Sequence, residues 1–102
     1  MGRGPVMIDA TLVWDLEDDP DGNVRHIAEH GITVEDVEQV VSDPDNSTSV
    51  SNRTGRAITF GETADGRYLA VVWETACDDP LMIYPVTAYP APRPRPGKRK
   101  RV

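Results

Sequence analysis

Residues 67–74 read RYLAVVWE, and their alternation decides the fold. Leu69, Val71 and Trp73 fall on one side, and Tyr68, Ala70 and Val72 on the other. A period of two predicts a strand. Apolar residues on both sides predict a strand with neighbours left and right and cover on its faces. Upstream, Thr63-Ala64-Asp65-Gly66 is a hairpin turn with Asp-Gly as its signal. It is preceded by a strand over Arg56–Gly61 that places Ile58 and Phe60 on one side. Downstream, Cys77-Asp78-Asp79-Pro80 predicts the next turn, and Leu81–Ala88 the next strand. Pro85 has no backbone N–H, which places it at a sheet edge or at a bulge.

Working toward the N-terminus, residues 43–55, DPDNSTSVSNRTG, have almost nothing to bury and read as a polar loop. A helix is expected from Thr33 to about Ser42. Thr33 and Asp36 have capping-box spacing, and Ile32 with Val37 fits a hydrophobic staple. Val34, Val37, Val40 and Val41 form its apolar face, and Pro44 forbids continuation. An earlier helix is expected over about 20–30, with Val24, Ile27 and Ala28 as its stripe. Gly31 stands where a left-handed C-terminal residue is wanted. On this helix Asn23, His26 and His30 are expected on the face away from Val24 and Ile27. Residues 7–14, MIDATLVW, alternate as a first strand that ends in the acidic stretch DLEDDPDG at 15–22.

The order is strand, helix, helix, strand, strand, strand. It predicts an α+β fold: an antiparallel meander of about four strands with two short helices packed on one face. One domain is expected over 7–89, after a flexible leader at 1–6 and before a disordered tail at 90–102. Four prolines between Pro90 and Pro96 exclude helix and sheet there.

Charge divides the chain. Residues 91–102, APRPRPGKRKRV, hold six basic residues and no acid, while residues 1–90 hold five basic and seventeen acidic residues. The body is therefore near −12 and the tail near +6. A body of that sign repels a polyanion and the tail attracts one. No apolar run approaches the ~18–20 residues of a membrane span, and no signal segment opens the sequence. Cys77 is the single cysteine, which excludes an internal disulfide and fits a reducing, cytoplasmic compartment.

Several of these residues, in this order, resemble the BrnT-type toxins. They are Trp14-Asp15, a helix ending at His30-Gly31, an acidic helix ending at Asp43-Pro44, Phe60-Gly61, the turn Ala64-Asp65-Gly66-Arg67, and the strand from Leu69 to Trp73. The resemblance covers roughly residues 12–88. It implies a RelE-like fold, a metal-independent ribonuclease activity of the mRNA-interferase kind, and a partner antitoxin in a type II toxin–antitoxin system. The sequence departs from that family at His26 and Glu29, where Asn and Lys are usual. It also runs from Tyr89 into Pro90 rather than into an Arg-rich helix.

Cutting RNA without a metal needs a base for the 2′-hydroxyl, a cation for the crowded phosphate and an acid for the leaving oxygen. Arg56 and Arg67 are the candidate cations. As the start of one strand and of its hairpin partner, they are expected at opposite ends of that hairpin. Each can equally be a solvated strand-end arginine. His26 and His30, four apart on a helix, are candidates for proton transfer. They also have the spacing of a two-His metal pair, but no third ligand is evident near them, so neither metal nor cofactor is expected. Glu74 is a further acid–base candidate, on the same strand face as Tyr68. Arg93, Arg95, Lys98, Arg99, Lys100 and Arg101 are the candidate nucleic-acid contacts, able to track a phosphate backbone or to fold back on the acidic body. The expected partners are an antitoxin and RNA, with no membrane and with a homodimer allowed. The alternative is an interaction module that keeps the fold without the chemistry.

Overall fold

The computed structural model describes residues 10–51 and 53–93. The expected leader at 1–6, the first residues of the predicted first strand, and tail residues 94–102 lie outside the described residues. The elements are β1 (Thr11–Leu12), α1 (Asn23–Ala28), α2 (Val34–Ser42), β2 (Ser47–Val50), β3 (Ala57–Glu62), β4 (Tyr68–Asp78) and β5 (Leu81–Pro90). They form an α+β domain with one sheet in the order β1-β5-β4-β3-β2.

As its apolar faces require, β4 is the middle strand. It pairs antiparallel with β3 through Ala57↔Trp73 to Glu62↔Tyr68, and with β5 on the other side. Gly66 closes the β3–β4 hairpin at φ +90°, the backbone region that favours glycine.

Two expectations about the sheet are corrected. It has five strands rather than four, because Ser47–Val50, within the predicted polar loop, pairs antiparallel with β3 as β2. All four of its residues are exposed, so it carries no apolar alternation. Backbone pairing and a 2.7 Å bond between the hydroxyls of Thr48 and Thr59 hold it. The sheet is also not wholly antiparallel, since β1 lies parallel to β5 through Thr11↔Met82 and Leu12↔Ile83. Alternation within a strand carries no information about its direction.

Pro85 occupies a bulge, not an edge. The register shifts between Val72↔Thr87 and Trp73↔Pro85, leaving Val86 as the extra residue. A second shift falls between Thr75 and Cys77. Cys77 is therefore inside β4, half-buried, and not in a turn.

Leu69 and Val71 of β4, Ile83 and Ala88 of β5, Ile27 of α1 and Val37, Val40 and Val41 of α2 make one buried cluster. Both helices therefore lie over the same face. Each large side chain there contributes about 1.5–3 kcal/mol by leaving water. The capping box starts α2: Thr33 Oγ1 accepts from the Asp36 amide at 3.1 Å, and Asp36 Oδ2 accepts from the Thr33 amide at 3.0 Å. The helix ends at Asp43-Pro44, and Asn46 Nδ2 donates to the Val40 carbonyl at 2.7 Å. That amide lies over Gly61, where any side chain would collide with it.

The first helix is shorter than expected. Its stripe reduces to Ile27, with Val24 half-buried and Ala28 exposed. Asn23 is 2% exposed and not on the outer face. As the first residue of α1, it turns inward toward β5.

Candidate functional site

The candidate residues fall into separate groups. At the β3–β4 turn, Arg67 reaches back to the helices. Its guanidinium donates to Asp36 Oδ2 at 2.7 Å, to the Gly31 carbonyl at 2.8 Å and to Asp65 Oδ2 at 3.1 Å. Thr63 Oγ1 completes the turn by donating to Asp65. The Thr63 hydroxyl, followed by Arg67, holds the Asp65 carboxyl below the usual carboxylate range. Burial would raise Asp36, but bonds from the Thr33 amide and Arg67 outweigh it and leave it lowered. Arg67 is raised in turn, by Asp36 first and then Asp65. Three acceptors fix this cation, which ties the hairpin turn to the α1–α2 connection.

His26 and His30 are exposed on the same end of the fold, their ring centroids 6.2 Å apart. His30 precedes Gly31, whose carbonyl Arg67 holds. Arg67 is thereby bonded to the backbone of the residue after His30, a link that spacing in sequence could not show.

Arg56 and Glu74 lie at the other end of the hairpin. They form a cross-strand ion pair, Nε to Oε1 at 3.4 Å, with both side chains nearly half exposed. Glu74 is seven positions along the chain from Arg67, on the order of 20 Å at the strand rise. The expectation that the two arginines are well apart is met, and Glu74 sits with Arg56 rather than with the histidines.

Arg93 leaves β5 beside the hairpin turn. It pairs with Glu62 at 3.0 Å, donates to the Gly66 carbonyl at 2.5 Å and lies over the Tyr68 ring. Arg95, Lys98, Arg99, Lys100 and Arg101 lie outside the described residues.

A third group escaped sequence reasoning. Asn23 Nδ2 donates to the carbonyls of Val13 at 3.0 Å and Pro85 at 2.9 Å. Asp15 Oδ2 accepts from the Asn23 amide at 2.9 Å and from the Tyr84 hydroxyl at 2.5 Å. Tyr84 and then Asn23 hold the Asp15 carboxyl below its usual range. The same bond, with burial, pushes the Tyr84 hydroxyl up to about 12. The available signal was an Asp closing the first strand and an Asn opening a helix, residue types that favour helix N-termini. The group joins β1, α1 and β5.

Among the described residues no three His, Cys, Asp or Glu side chains come together to hold a metal ion. None of their helices is long and apolar enough to cross a membrane.

Residues 23–90, from the first residue of α1 to the last of β5, match the family model described as Domain of unknown function (DUF4258). The chain belongs to the DUF4258 family. No curated protein and no solved structure matches it. The DUF4258 span contains Asn23, both histidines, Arg56, Arg67, Glu74 and Tyr84. Asp15, which holds the start of α1, precedes it, and Arg93 follows it.

Proposed function

We propose that this DUF4258 domain is a toxin-like interaction module, related to the BrnT-type, RelE-like toxins, that binds a basic partner protein and does not cut RNA. One observation carries the reading: Arg56, Arg67 and Arg93 are each neutralised by a carboxylate, at 3.4, 2.7 and 3.0 Å. A phosphate approaching any of them must displace a bound acid. Residues 1–90 hold seventeen acidic against five basic residues, with the six basic residues of 91–102 set apart at the C-terminal end. The field of that body attracts a cationic surface and repels RNA. The partner chemistry is that of a basic protein, as an antitoxin of the type II kind could supply.

A ribonuclease of the mRNA-interferase kind is the second reading. The exposed His26–His30 pair near the Arg67 end of the fold favours it, since imidazoles can move protons at neutral pH. The two readings part in one experiment. Purified full-length protein is incubated with a mixed RNA pool, and the same chain is expressed in growing cells. The interaction module leaves the RNA intact and growth unchanged, while an arginine-rich peptide binds it with an affinity that falls as salt rises. Cleavage that disappears in His30→Ala, with the fold retained, would establish the ribonuclease instead.

A further inference from the structure

We infer that Glu62, the Gly66 carbonyl and the Tyr68 ring form a seat for an arginine of the basic partner, held by the chain's own Arg93 until that partner displaces it. The inference rests on the proposed basic partner and names where its arginine docks.

The register of the β3–β4 hairpin builds the seat. Leu69 and Val71 point into the core, so Tyr68 and Val72 stand on the opposite face of the sheet. Glu62 pairs with Tyr68, and Phe60 with Ala70, which puts both on that same face. Both described helices pack on the other side, over Leu69 and Val71. The rings of Phe60 and Tyr68 stack, with centroids 6.3 Å apart. With Ile58 and Val72 they make a half-buried apolar strip.

At the turn end of the strip meet the features that a guanidinium needs. Glu62 offers a carboxylate, Gly66 a carbonyl, and Tyr68 the face of its ring. Arg93 uses all of them at once. Its Nη2 lies 3.0 Å from Glu62 Oε2 and 2.5 Å from the Gly66 carbonyl oxygen. Its Cζ lies 5.8 Å from the Tyr68 ring centroid. A lysine ammonium would meet the oxygens as a point charge, with no plane to lay on the ring. The ligand class is thus visible in the chain's own arginine.

This occupant is loosely held. The side chains of Arg93 and Glu62 are 53% and 51% exposed, and an ion pair so exposed contributes little. Arg93 lies beyond the end of β5, after the Ala91 amide has bonded the Tyr68 carbonyl at 2.9 Å. Arg67, in contrast, is fixed by acceptors on both helix and turn. A partner arginine makes the same bonds as Arg93 and adds contact along the strip from Tyr68 to Ile58. The acidic balance of residues 1–90 draws such a partner in. Exchange of one arginine for another asks no change of the fold.

Titration of the full chain with a hexa-arginine peptide at near-physiological salt tests the inference. Arg93→Ala frees the seat and should tighten binding about threefold or more. Arg53→Ala removes an exposed arginine elsewhere, so it reports the effect of charge alone and should do less. Adding Glu62→Gln to Arg93→Ala should weaken binding about threefold or more, and adding Glu17→Gln, an exposed acid elsewhere, should do less. Hexa-lysine should gain no more from Arg93→Ala than from Arg53→Ala. Thermal unfolding checks that each variant keeps the fold. Amide shifts on the wild-type chain give a reading that needs no variant: hexa-arginine should move Glu62, Gly66 and Tyr68 most. Binding that responds alike to Arg93→Ala and Arg53→Ala overturns the inference and leaves the basic-partner reading standing. Shifts centred away from Gly66 do the same. A chain that binds no hexa-arginine, with or without Arg93, overturns both.

Discussion

Asp15 and Asn23 hold each other by two reciprocal hydrogen bonds. The Asp15 amide donates to Asn23 Oδ1 at 2.9 Å, and the Asn23 amide donates to Asp15 Oδ2 at 2.9 Å. This is a capping box in effect, closed between residues eight apart, across an acidic loop. It starts α1, a helix of six residues, which is too short to persist alone. Asn23→Ala removes the side chain that serves Val13, Pro85 and Asp15 together. Buried carbonyls and an amide are left without partners, at a cost of about 2–4 kcal/mol. Urea denaturation should show this as a lowered midpoint with an unchanged slope.

Tyr84 makes the same group sensitive to alkali. Its folded pKa, about 12, stands above the ordinary 10.0 because the protonated hydroxyl donates to Asp15. A raised pKa contributes stability that is complete below the unfolded value and is lost as pH rises through the folded one. The wild-type Tm should therefore fall between pH 10 and 12, and Tyr84→Phe should fall less over that interval.

Acid acts on the carboxylates in the opposite sense. Asp15, Asp36, Glu62 and Asp65 are all held below their ordinary values. Their contribution is complete above the unfolded values near 4 and is lost as pH falls through the lower, folded ones. Stability should be flat from neutral pH to about 5 and decline below 4, as followed by circular dichroism. Arg67→Ala should make that decline shallower, because Asp36 and Asp65 lose the cation that holds them down.

The two hairpin arginines should separate cleanly on mutation. Arg67→Ala lowers Tm measurably, and Arg67→Lys recovers little of it, since one ammonium cannot reproduce a fork bonded to three acceptors. Arg56→Ala removes a single exposed pair and should change stability by less than about 0.5 kcal/mol.

Gly61→Ala tests the close approach under Asn46. The added methyl must push the Asn46 amide away from the Val40 carbonyl, which uncaps the last turn of α2. The expected cost is about 1–3 kcal/mol, read by thermal unfolding. Asn46→Ala should remove part of that penalty in the double variant.

What the sequence disclosed divides along physical lines. The middle strand, the Asp-Gly turn and the Thr33–Asp36 box were legible because each depends on neighbours in sequence. The strand Ser47–Val50 was not, because an exposed edge buries nothing and its pairing is carried by backbone groups common to all residues. Asn23 looked like an outward-facing polar residue because helical periodicity assigns faces, not partners. Its acceptor Pro85 lies 62 residues away. Arg56 and Arg67 were rightly separated by strand counting. That Arg67 bonds the Gly31 carbonyl could not be seen before the α1–α2 connection and the hairpin turn were placed side by side.

The parallel pairing of β1 with β5 also imposes an order in time. Thr11 and Leu12 leave the ribosome about seventy residues ahead of their partners Met82 and Ile83. Contacts that close long loops form late, whereas α2 and the β3–β4 hairpin are local and can form as the chain appears. Until β5 emerges, Leu12, Trp14 and the segment that becomes α1 lack the strand against which they rest. A nascent chain stalled before residue 81 would hold a preformed hairpin and helix beside an unpaired, partly apolar N-terminal arm. That arm is where a chaperone or a protease would find this protein.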